Sequence, residues 1–405
     1  CTSTVGNINA TSSNGRAVID VFGQGDAGNG VNVVGALTAT GQTRPLISLD
    51  AKTKDSDGNE LTSTGNVNIG ATVTVNSTSS TAVNTLADSV LGGVSISGRN
   101  ITIGAKVESR HNDGVSRAQD GISINSVRDN ININADIVTT SNGGIGITTG
   151  SNGTVSGAGV IEAQNVNLVA PKSQGTFNVK TRIQPPAGFL GNGNLNVLGG
   201  LNTTIDNLSN TTLITALGFI DRSKDPVNPD LPLGNLSLKT AGTLQIATLD
   251  AYNTSFSESN PIRIELASDN FVVFPGTIST PGYAEITLRP YTDTTEIFVR
   301  NNANPSLPGV VYTTAPLLGF LQQFNPDAKL IIGGPNHKGD VTIGGDGLFR
   351  LGNMHLVFET GAVGRLVRNF FASDGNVFHP EPAIPFGGIG YPGPSVTDGI
   401  GQLTS

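Results

Sequence analysis

The chain has little of what many enzymes and nucleic-acid-binding proteins use. It contains no Trp, one Met, one Cys and four His, and only 13% of its 405 residues are charged. The 23 Lys and Arg residues never cluster, so we expect no nucleic-acid-binding face. No run approaches the roughly 20 apolar residues of a membrane-spanning helix, so we expect no membrane span.

The single Cys stands at position 1 and excludes an internal disulfide. It is interpreted as the end of a mature or truncated chain; the alternative is the lipid-bearing Cys of a bacterial lipoprotein, with the polar sequence Cys1-Thr-Ser. No basic segment followed by an apolar one is present, so a secretion signal is expected to be absent or already removed. Both features are compatible with an extracellular or cell-surface location.

What the sequence does contain is a recurring short motif, an Asn followed by apolar–any–apolar. Six of its occurrences are Asn66-Val-Asn-Ile, Asn100-Ile-Thr-Ile, Asn130-Ile-Asn-Ile, Asn165-Val-Asn-Leu, Asn194-Leu-Asn-Val and Asn235-Leu-Ser-Leu. A short strand that returns every 29 to 41 residues, by subtraction, indicates a β-solenoid built of stacked coils. The abundant Gly (53 residues) fits a chain with many turns.

Between Gly65 and Ala170 the pattern predicts three strands per coil and roughly 30 residues per coil. Alternate side chains in each strand are apolar, so one face of every strand is expected to point inward. The Asn at the strand entrance is predicted to adopt the left-handed conformation of a sharp corner and to stack on its copy one coil away. The pairs Gly92-Gly93 and Gly143-Gly144 are predicted to serve the same corners.

Two regions depart from the rhythm. Residues 171–235 are Pro-rich and predict an excursion from the solenoid, with a short helix or a hairpin between Ile205 and Phe219. A second short helix is predicted at Leu317–Phe324. We therefore predict a solenoid over residues 1–370 and a Pro-, Gly- and Phe-rich segment over 371–405 that forms either a C-terminal cap or a linker.

The strand sequences Asn100-Ile-Thr-Ile-Gly-Ala and Asp340-Val-Thr-Ile-Gly-Gly resemble filamentous-haemagglutinin-type exoproteins of the two-partner secretion class. The order of segments from Ala284 to Gly345 is similar as well. The resemblance implies a right-handed parallel β-helix, export through an outer-membrane pore, and a role in adhesion, aggregation or biofilm matrix. It also implies a bacterial cell-surface location, and the chain is expected to be a piece of a larger protein or a divergent member.

The densest acidic group is Asp50, Asp55, Asp57 and Glu60. It is interpreted as a solvated turn; the alternative is a weak calcium site at Asp55, Asp57 and Glu60, whose hard oxygen ligands lack the full EF-hand spacing. The four His residues have no metal-type spacing. No catalytic residue and no cofactor-binding residue is predicted.

The predicted function is therefore structural, a surface or matrix fibre that binds cell-surface glycans, cell receptors or copies of itself. Contact is expected at the loops 50–64, 108–120 and 171–235, because loops commonly carry recognition. One alternative is a self-polymerising extracellular fibre subunit. The other is a β-helix polysaccharide lyase or hydrolase, which would need carboxylates that converge on one sheet face.

Overall fold

A computed structural model of the chain describes residues 2–23, 30–42, 44–51, 65–78, 92–111, 121–140, 144–150, 152–170, 175–185, 191–218, 233–251, 257, 259–273, 278–279, 283–300, 309–313, 328–345, 355–360, 365–370, 384–385 and 402–403. Within these ranges all helical or extended secondary structure is β-strand. No helix in them is long and apolar enough to cross a membrane. The fold is all-β and is a parallel β-helix, which confirms the predicted fold class.

The first twenty-one strands are β1 Ser3–Val5, β2 Ile8–Ser12, β3 Val18–Phe22, β4 Val31–Val33, β5 Leu37–Gly41, β6 Leu46–Asp50, β7 Val67–Ile69, β8 Val73–Ser77, β9 Gly93–Gly98, β10 Ile101–Ile103, β11 Val107–His111, β12 Ile122–Ser126, β13 Ile131–Ile133, β14 Ile137–Thr139, β15 Ile145–Thr148, β16 Thr154–Ala163, β17 Asn165–Val169, β18 Thr176–Ile183, β19 Gly193–Leu198, β20 Asn202–Asn207 and β21 Leu213–Leu217. The remaining strands are β22 Asn235–Asp250, β23 Ile262–Val273, β24 Ile278–Ser279, β25 Ala284–Arg289, β26 Ile297–Arg300, β27 Val310–Thr313, β28 Lys329–Gly333, β29 Val341–Gly345, β30 His355–Glu359, β31 Arg365–Phe370, β32 Ile384–Pro385 and β33 Gln402–Leu403.

The chain divides into two compact units. Unit 1 comprises Cys1–Leu213 and Phe219–Pro232, and unit 2 comprises Ile214–Gly218 and Leu233–Ser405. Each unit is described by itself below.

Unit 1 consists of three columns of parallel strands. Column I contains β1, β4, β7, β10, β13, the first part of β16, the first part of β18 and β20. Column II contains β2, β5, β8, β11, β14 and the second parts of β16 and β18. Column III contains β3, β6, β9, β12, β15, β17 and β19. The prediction of three strands per coil is confirmed.

Coil length varies although the register within each column is kept. Partners in column I, from Ser3 and Val31 to Phe177 and Thr203, are separated by 28, 36, 34, 30, 24, 22 and 26 residues, by subtraction. The differences are taken up between strands, except in β16, whose register against β18 shifts by two residues between Ser156 and Val160. The interval of 35 residues from Asn130 to Asn165 is therefore not a coil: the first residue precedes column I and the second begins β17 in column III.

The core of unit 1 is made of inward apolar side chains that stack on their equivalents in neighbouring coils. Val33, Ile69, Ile103 and Ile133 form one such stack, and each is at most 1% exposed. A buried aliphatic side chain contributes about 1.5–3 kcal/mol relative to an exposed one, so these stacks supply most of the driving force for coil formation. The outward positions between them are half-buried or exposed, as the period-two pattern predicts.

The corners confirm one half of the Asn prediction and contradict the other. Asn100 Nδ2 donates to Asn66 Oδ1 at 3.1 Å, so stacking on the neighbouring coil is observed. The left-handed conformation is not, because Arg44 is the only described residue other than Gly with a positive φ. The Asn residues serve as hydrogen-bonding partners between coils. Gly93 and Gly144 have positive φ of 75° and 71°, but they stand at the entrance to column III. The prediction that they serve the same corners is therefore wrong for Asn66, Asn100 and Asn130, which stand at the entrance to column I.

The described part of residues 171–235 corrects the predicted excursion. β18 pairs with β16 and β20, and β19 pairs with β17, so residues 176–183 and 193–207 continue the regular columns. The predicted helix between Ile205 and Phe219 is wrong for its described residues: residues 205–207 end β20, residues 213–217 form β21, and the residues between them are not helical. Pro185 misled the prediction, because it lies two residues beyond the end of β18 and interrupts no described strand.

Unit 2 contains two sheets. The strands β22, β23, β25, β28, β30 and β33 pair successively in parallel. The second sheet has the order β27–β26–β29–β31–β32, with only the last pair antiparallel. The segment 371–405 contributes β32 and β33, which pair with β31 and β30. The predicted helix Leu317–Phe324 lies outside the described residues.

Candidate binding face

Column I presents a continuous row of neutral polar side chains on its outer side. Each column I strand places one side chain outward between two inward ones, and these outward residues are aligned in register from coil to coil. This outer row contains only Asn, Thr and Ser, and its members are Thr4, Asn32, Asn68, Thr102, Asn132, Ser156, Asn178 and Thr204.

A second row runs beside the first, at the entrance to the same strands. Its contacts are direct: Asn130 N donates to Asn100 Oδ1 at 3.2 Å, and Thr154 N donates to Asn130 Oδ1 at 2.9 Å. Strand pairing then carries the row on to its last two members. This entrance row also contains only Asn and Thr, at Asn66, Asn100, Asn130, Thr154, Thr176 and Asn202.

We call the outer row and the entrance row together the amide–hydroxyl face. Its outer row crosses eight coils, so its length is about 34 Å at about 4.8 Å per strand. Asn68, Asn132 and Asn178 are exposed, whereas Asn32 and Thr102 are half-buried. None of the 23 basic or 31 acidic residues of the chain falls in either row. The face is therefore uncharged over its whole length.

Side-chain ladders hold parts of this face in place. Asn68 Nδ2 donates to Asn32 Oδ1 at 2.9 Å, which links two members of the outer row. A carboxamide has two N–H donors and an oxygen with two lone pairs, so one ladder bond leaves hydrogen-bonding capacity for a ligand. Column III contains similar ladders, from Asn194 to Asn165 at 2.7 Å and from Asn196 to Asn167 at 2.6 Å.

Unit 2 contains a different feature, a buried cluster of ionisable groups around Arg289. Arg289 is 2% exposed and forms ion pairs with Glu265 on the neighbouring strand and with Asp293 in the following turn. Asp293 O also accepts hydrogen bonds from the backbone N–H groups of Lys338 and Gly339, at 2.6 and 3.1 Å. The Arg289 cluster thus ties the end of β25 to the turn after β28.

His337 belongs to this cluster. Its side chain is fully buried, and neither ring nitrogen has a hydrogen-bond partner among the described residues. Burial lowers the pKa of His337 to about 4, and the positive charge of Arg289 acts in the same direction, against the opposing carboxylates of Asp293 and Asp340. His337 is therefore neutral at pH 7.

Tyr312 is the aromatic member. Its ring centroid lies 5.7 Å from that of Phe271, and its buried hydroxyl has no described partner. Burial raises the pKa of Tyr312, with Asp269 adding to the effect. Since Arg289, His337 and Tyr312 are buried, we interpret the cluster as a structural pin of unit 2 and not as a ligand site.

A smaller charged group lies on column II. Glu108 is 6% exposed, and its carboxylate accepts hydrogen bonds from Lys106 at 3.0 Å and Arg110 at 2.7 Å. Burial opposes ionisation of Glu108, but the hydrogen bonds from Arg110 and Lys106 outweigh it and its pKa lies below the usual value. This corrects the loop predicted at 108–120, since residues 108–111 form part of β11.

The predicted metal residues Asp55, Asp57 and Glu60 lie outside the described residues, as do most of the loops 50–64 and 108–120. Among the residues that the structure describes, no group of three or more His, Cys, Asp or Glu side chains could hold a metal. His337 is buried in unit 2, and His355 is the first residue of β30.

Sequence reasoning missed the amide–hydroxyl face although its signal was present. In Asn66-Val-Asn-Ile, Asn100-Ile-Thr-Ile and Asn130-Ile-Asn-Ile, the residue between the two apolar ones is the outward residue of the strand. Reading that middle position across repeats identifies the outer row. No comparable signal marks the Arg289 cluster, whose members are separated by up to 72 residues, by subtraction from Glu265 to His337.

Comparison of the chain with protein-family models, with curated proteins and with solved structures gives no match in any of the three.

Proposed function

We propose that this chain is a structural segment of a bacterial cell-surface or extracellular-matrix fibre that mediates adhesion or aggregation. The observation that carries the proposal is the amide–hydroxyl face, an uncharged and regularly spaced surface built on a rigid stack of coils. The entrance row also bonds backbone N–H groups of the neighbouring coils, whereas the outer row points away from the core. The resemblance to filamentous-haemagglutinin-type exoproteins supports the same role.

The mechanism is geometric. Stacked coils bury a continuous apolar core and pair their backbone groups with the coils on either side, so each added coil extends the column without a change in its cross-section. Side chains on the outside are then held at fixed intervals. We propose that a fibre of this kind presents many weak contacts to a surface, and that their sum gives adhesion.

The experiment that tests this proposal is display of the chain on the surface of a non-adherent bacterium. Adhesion to cells, settling of the culture and retention in a biofilm are measured. The control strain displays an unrelated β-helix in place of this chain. Increased adhesion or settling supports the proposal. No difference in all three assays contradicts it. Assays for released reducing or unsaturated sugar ends test the alternative of a polysaccharide lyase or hydrolase on the same material.

A further inference from the structure

The amide–hydroxyl face has a composition that selects among classes of ligand. Its two rows carry no charge, in a chain whose formal net charge is −8. A charged polymer gains no ion pair with either row and loses hydration when it binds. Charged residues border the rows but are not members of them: Arg99 and Asp129, which pair with each other at 2.5 Å, directly precede two members of the entrance row. Lys180 and Asp206 come two residues after the outer row in its last two coils. The ligand chemistry that fits the rows is uncharged.

The same rows also argue against a protein partner. Tightly bound protein interfaces are anchored by buried Trp, Tyr or Arg side chains at an apolar centre. The amide–hydroxyl face contains none of these residue types and no apolar residue in either row. What it offers is a dense set of groups that both donate and accept hydrogen bonds, which is the chemistry of a partner rich in hydroxyl groups.

The geometry favours a long ligand over a small one. The rows run along the coil axis for about 34 Å and repeat about every 4.8 Å, with no enclosing walls described on either side. An isolated sugar meets only one or two coils of such a surface, whereas a polymer meets all of them. Because the ladder bonds between coils, such as Asn68 to Asn32, hold side chains in place, little further rotamer freedom is lost on binding.

From these observations we infer that the amide–hydroxyl face binds an uncharged polysaccharide whose chain lies along the coil axis. This inference rests on the proposed adhesive function and names its ligand class and its contact surface. It moves the contact from the loops to the outer side of column I. Binding is by hydrogen bonds to the hydroxyl edges of successive sugars, since no aromatic residue is present in the rows to stack on a sugar ring.

The test uses the full chain and three uncharged probes, which are cellulose, mannan and dextran, with alginate and carboxymethyl cellulose as charged counterparts. The face variant carries Asn132→Lys and Asn178→Lys, both at exposed positions of the outer row. The control variant carries Ser123→Lys and Asn125→Lys, which are exposed positions of β12 in column III. Circular dichroism and urea unfolding establish that both variants are folded.

We expect the unaltered chain to be retained by at least one uncharged probe and not by its charged counterparts. Retention of the face variant should fall at least tenfold, while that of the control variant should change less than twofold. Soluble polysaccharide should compete, and the monosaccharide at equal sugar concentration should not. Each of these results follows from many weak contacts along one face.

Three outcomes overturn the inference. The first is equal retention of the face variant and the control variant on an uncharged probe. This result would place the contact elsewhere on the chain without contradicting the proposed adhesive function. The second is no retention on any uncharged probe by a chain that still increases cell adhesion. The third is loss of self-association alone in the face variant, measured by light scattering, which identifies a second copy as the occupant. Failure of the display assay itself would instead contradict the proposed function.

Discussion

Asn100 is bonded on both sides within its column: its Nδ2 donates to Asn66 Oδ1 and its Oδ1 accepts from Asn130 N. One side chain thus links three successive coils. Removal of the amide deletes both hydrogen bonds, and because water can reach the exposed Asn130, each loss costs the net value of a hydrogen bond, about 0.5–1.5 kcal/mol. We expect Asn100→Ala to lower the free energy of unfolding by about 1–2 kcal/mol.

Urea unfolding followed by circular dichroism measures this effect. Asn125→Ala is the matched control, because Asn125 is an exposed outward residue of β12, and its change should stay within about 0.5 kcal/mol. Equal effects of the two substitutions would mean that the ladder adds nothing to stability.

The ion pairs of Arg289 predict a large stability effect in unit 2. Replacement of Arg289 by Met removes the buried cation and leaves the carboxylates of Glu265 and Asp293 unpaired. Because these carboxylates are 27% and 40% exposed, we expect a loss of about 1–3 kcal/mol, less than for a fully buried pair. Arg263→Met is the control, since Arg263 lies 3.4 Å from Glu285 with 64% of its side chain exposed. An exposed pair contributes about 0–1 kcal/mol.

Denaturant unfolding of both variants checks the contrast. A loss in the Arg289 variant no greater than in the Arg263 variant would contradict the interpretation of the cluster as a structural pin.

His337 predicts a pH dependence. Because its pKa is lowered to about 4 in the folded chain, the unfolded chain binds more protons between pH 6.5 and pH 4. Stability that is fully present above pH 6.5 is therefore lost as the pH falls through this window, by about 3 kcal/mol at 1.36 kcal/mol per pH unit. His337→Phe removes the titrating group from the same site.

Unfolding of the two proteins in urea at pH 7, 5.5 and 4 measures the difference between them. The free energy of unfolding of the unaltered chain should fall more steeply than that of the variant. The other ionisable groups near His337, which are Arg289, Asp293 and Asp340, are common to both proteins. A difference that stays constant with pH would show that His337 does not titrate in this window.

The two glycines near the start of β15 predict opposite responses to substitution. Gly144 has φ of 71°, and a Cβ at this position would lie 2.5 Å from the backbone oxygen of Asn165. Gly144→Ala therefore combines backbone strain with a clash and should cost about 1–3 kcal/mol. At Gly146 a Cβ meets no atom within 4 Å, and Gly146→Ala should be neutral or stabilise by about 0.5 kcal/mol.

Thermal unfolding of both variants in parallel measures this contrast. Two equally destabilised variants would argue against the corner conformation at Gly144.

Much of the fold follows from the sequence because a parallel β-helix depends on local alternation. Val94-Ser-Ile and Ile101-Thr-Ile predict two strands that are found as β9 and β10, whereas the third predicted segment, Ala105-Lys-Val, overlaps β11 only at Val107. Corner geometry is harder to predict, because Asn can serve as a turn residue or as a hydrogen-bonding partner between coils. In this chain it is the second role that the structure shows at Asn66 and Asn100.

The candidate face and the Arg289 cluster differ in how far they could be predicted. The face repeats with the strands, so the position between two apolar residues carries it, as at Asn68 and Thr102. The cluster depends on which coil lies beside which, and on a fully buried His337 whose neighbours are distant in sequence. Periodicity contains no information about such contacts.

The variable coil length of unit 1 has an evolutionary consequence. Coils of 22 and 36 residues share the same column register, so residues inserted between strands leave the stacked core unchanged. Selection can therefore act on one new corner segment at a time, while the rest of the column keeps its structure. Duplication of a whole coil, in turn, lengthens the column. The corner segments and the length of the column can thus evolve independently of each other in descendants of a single ancestral coil.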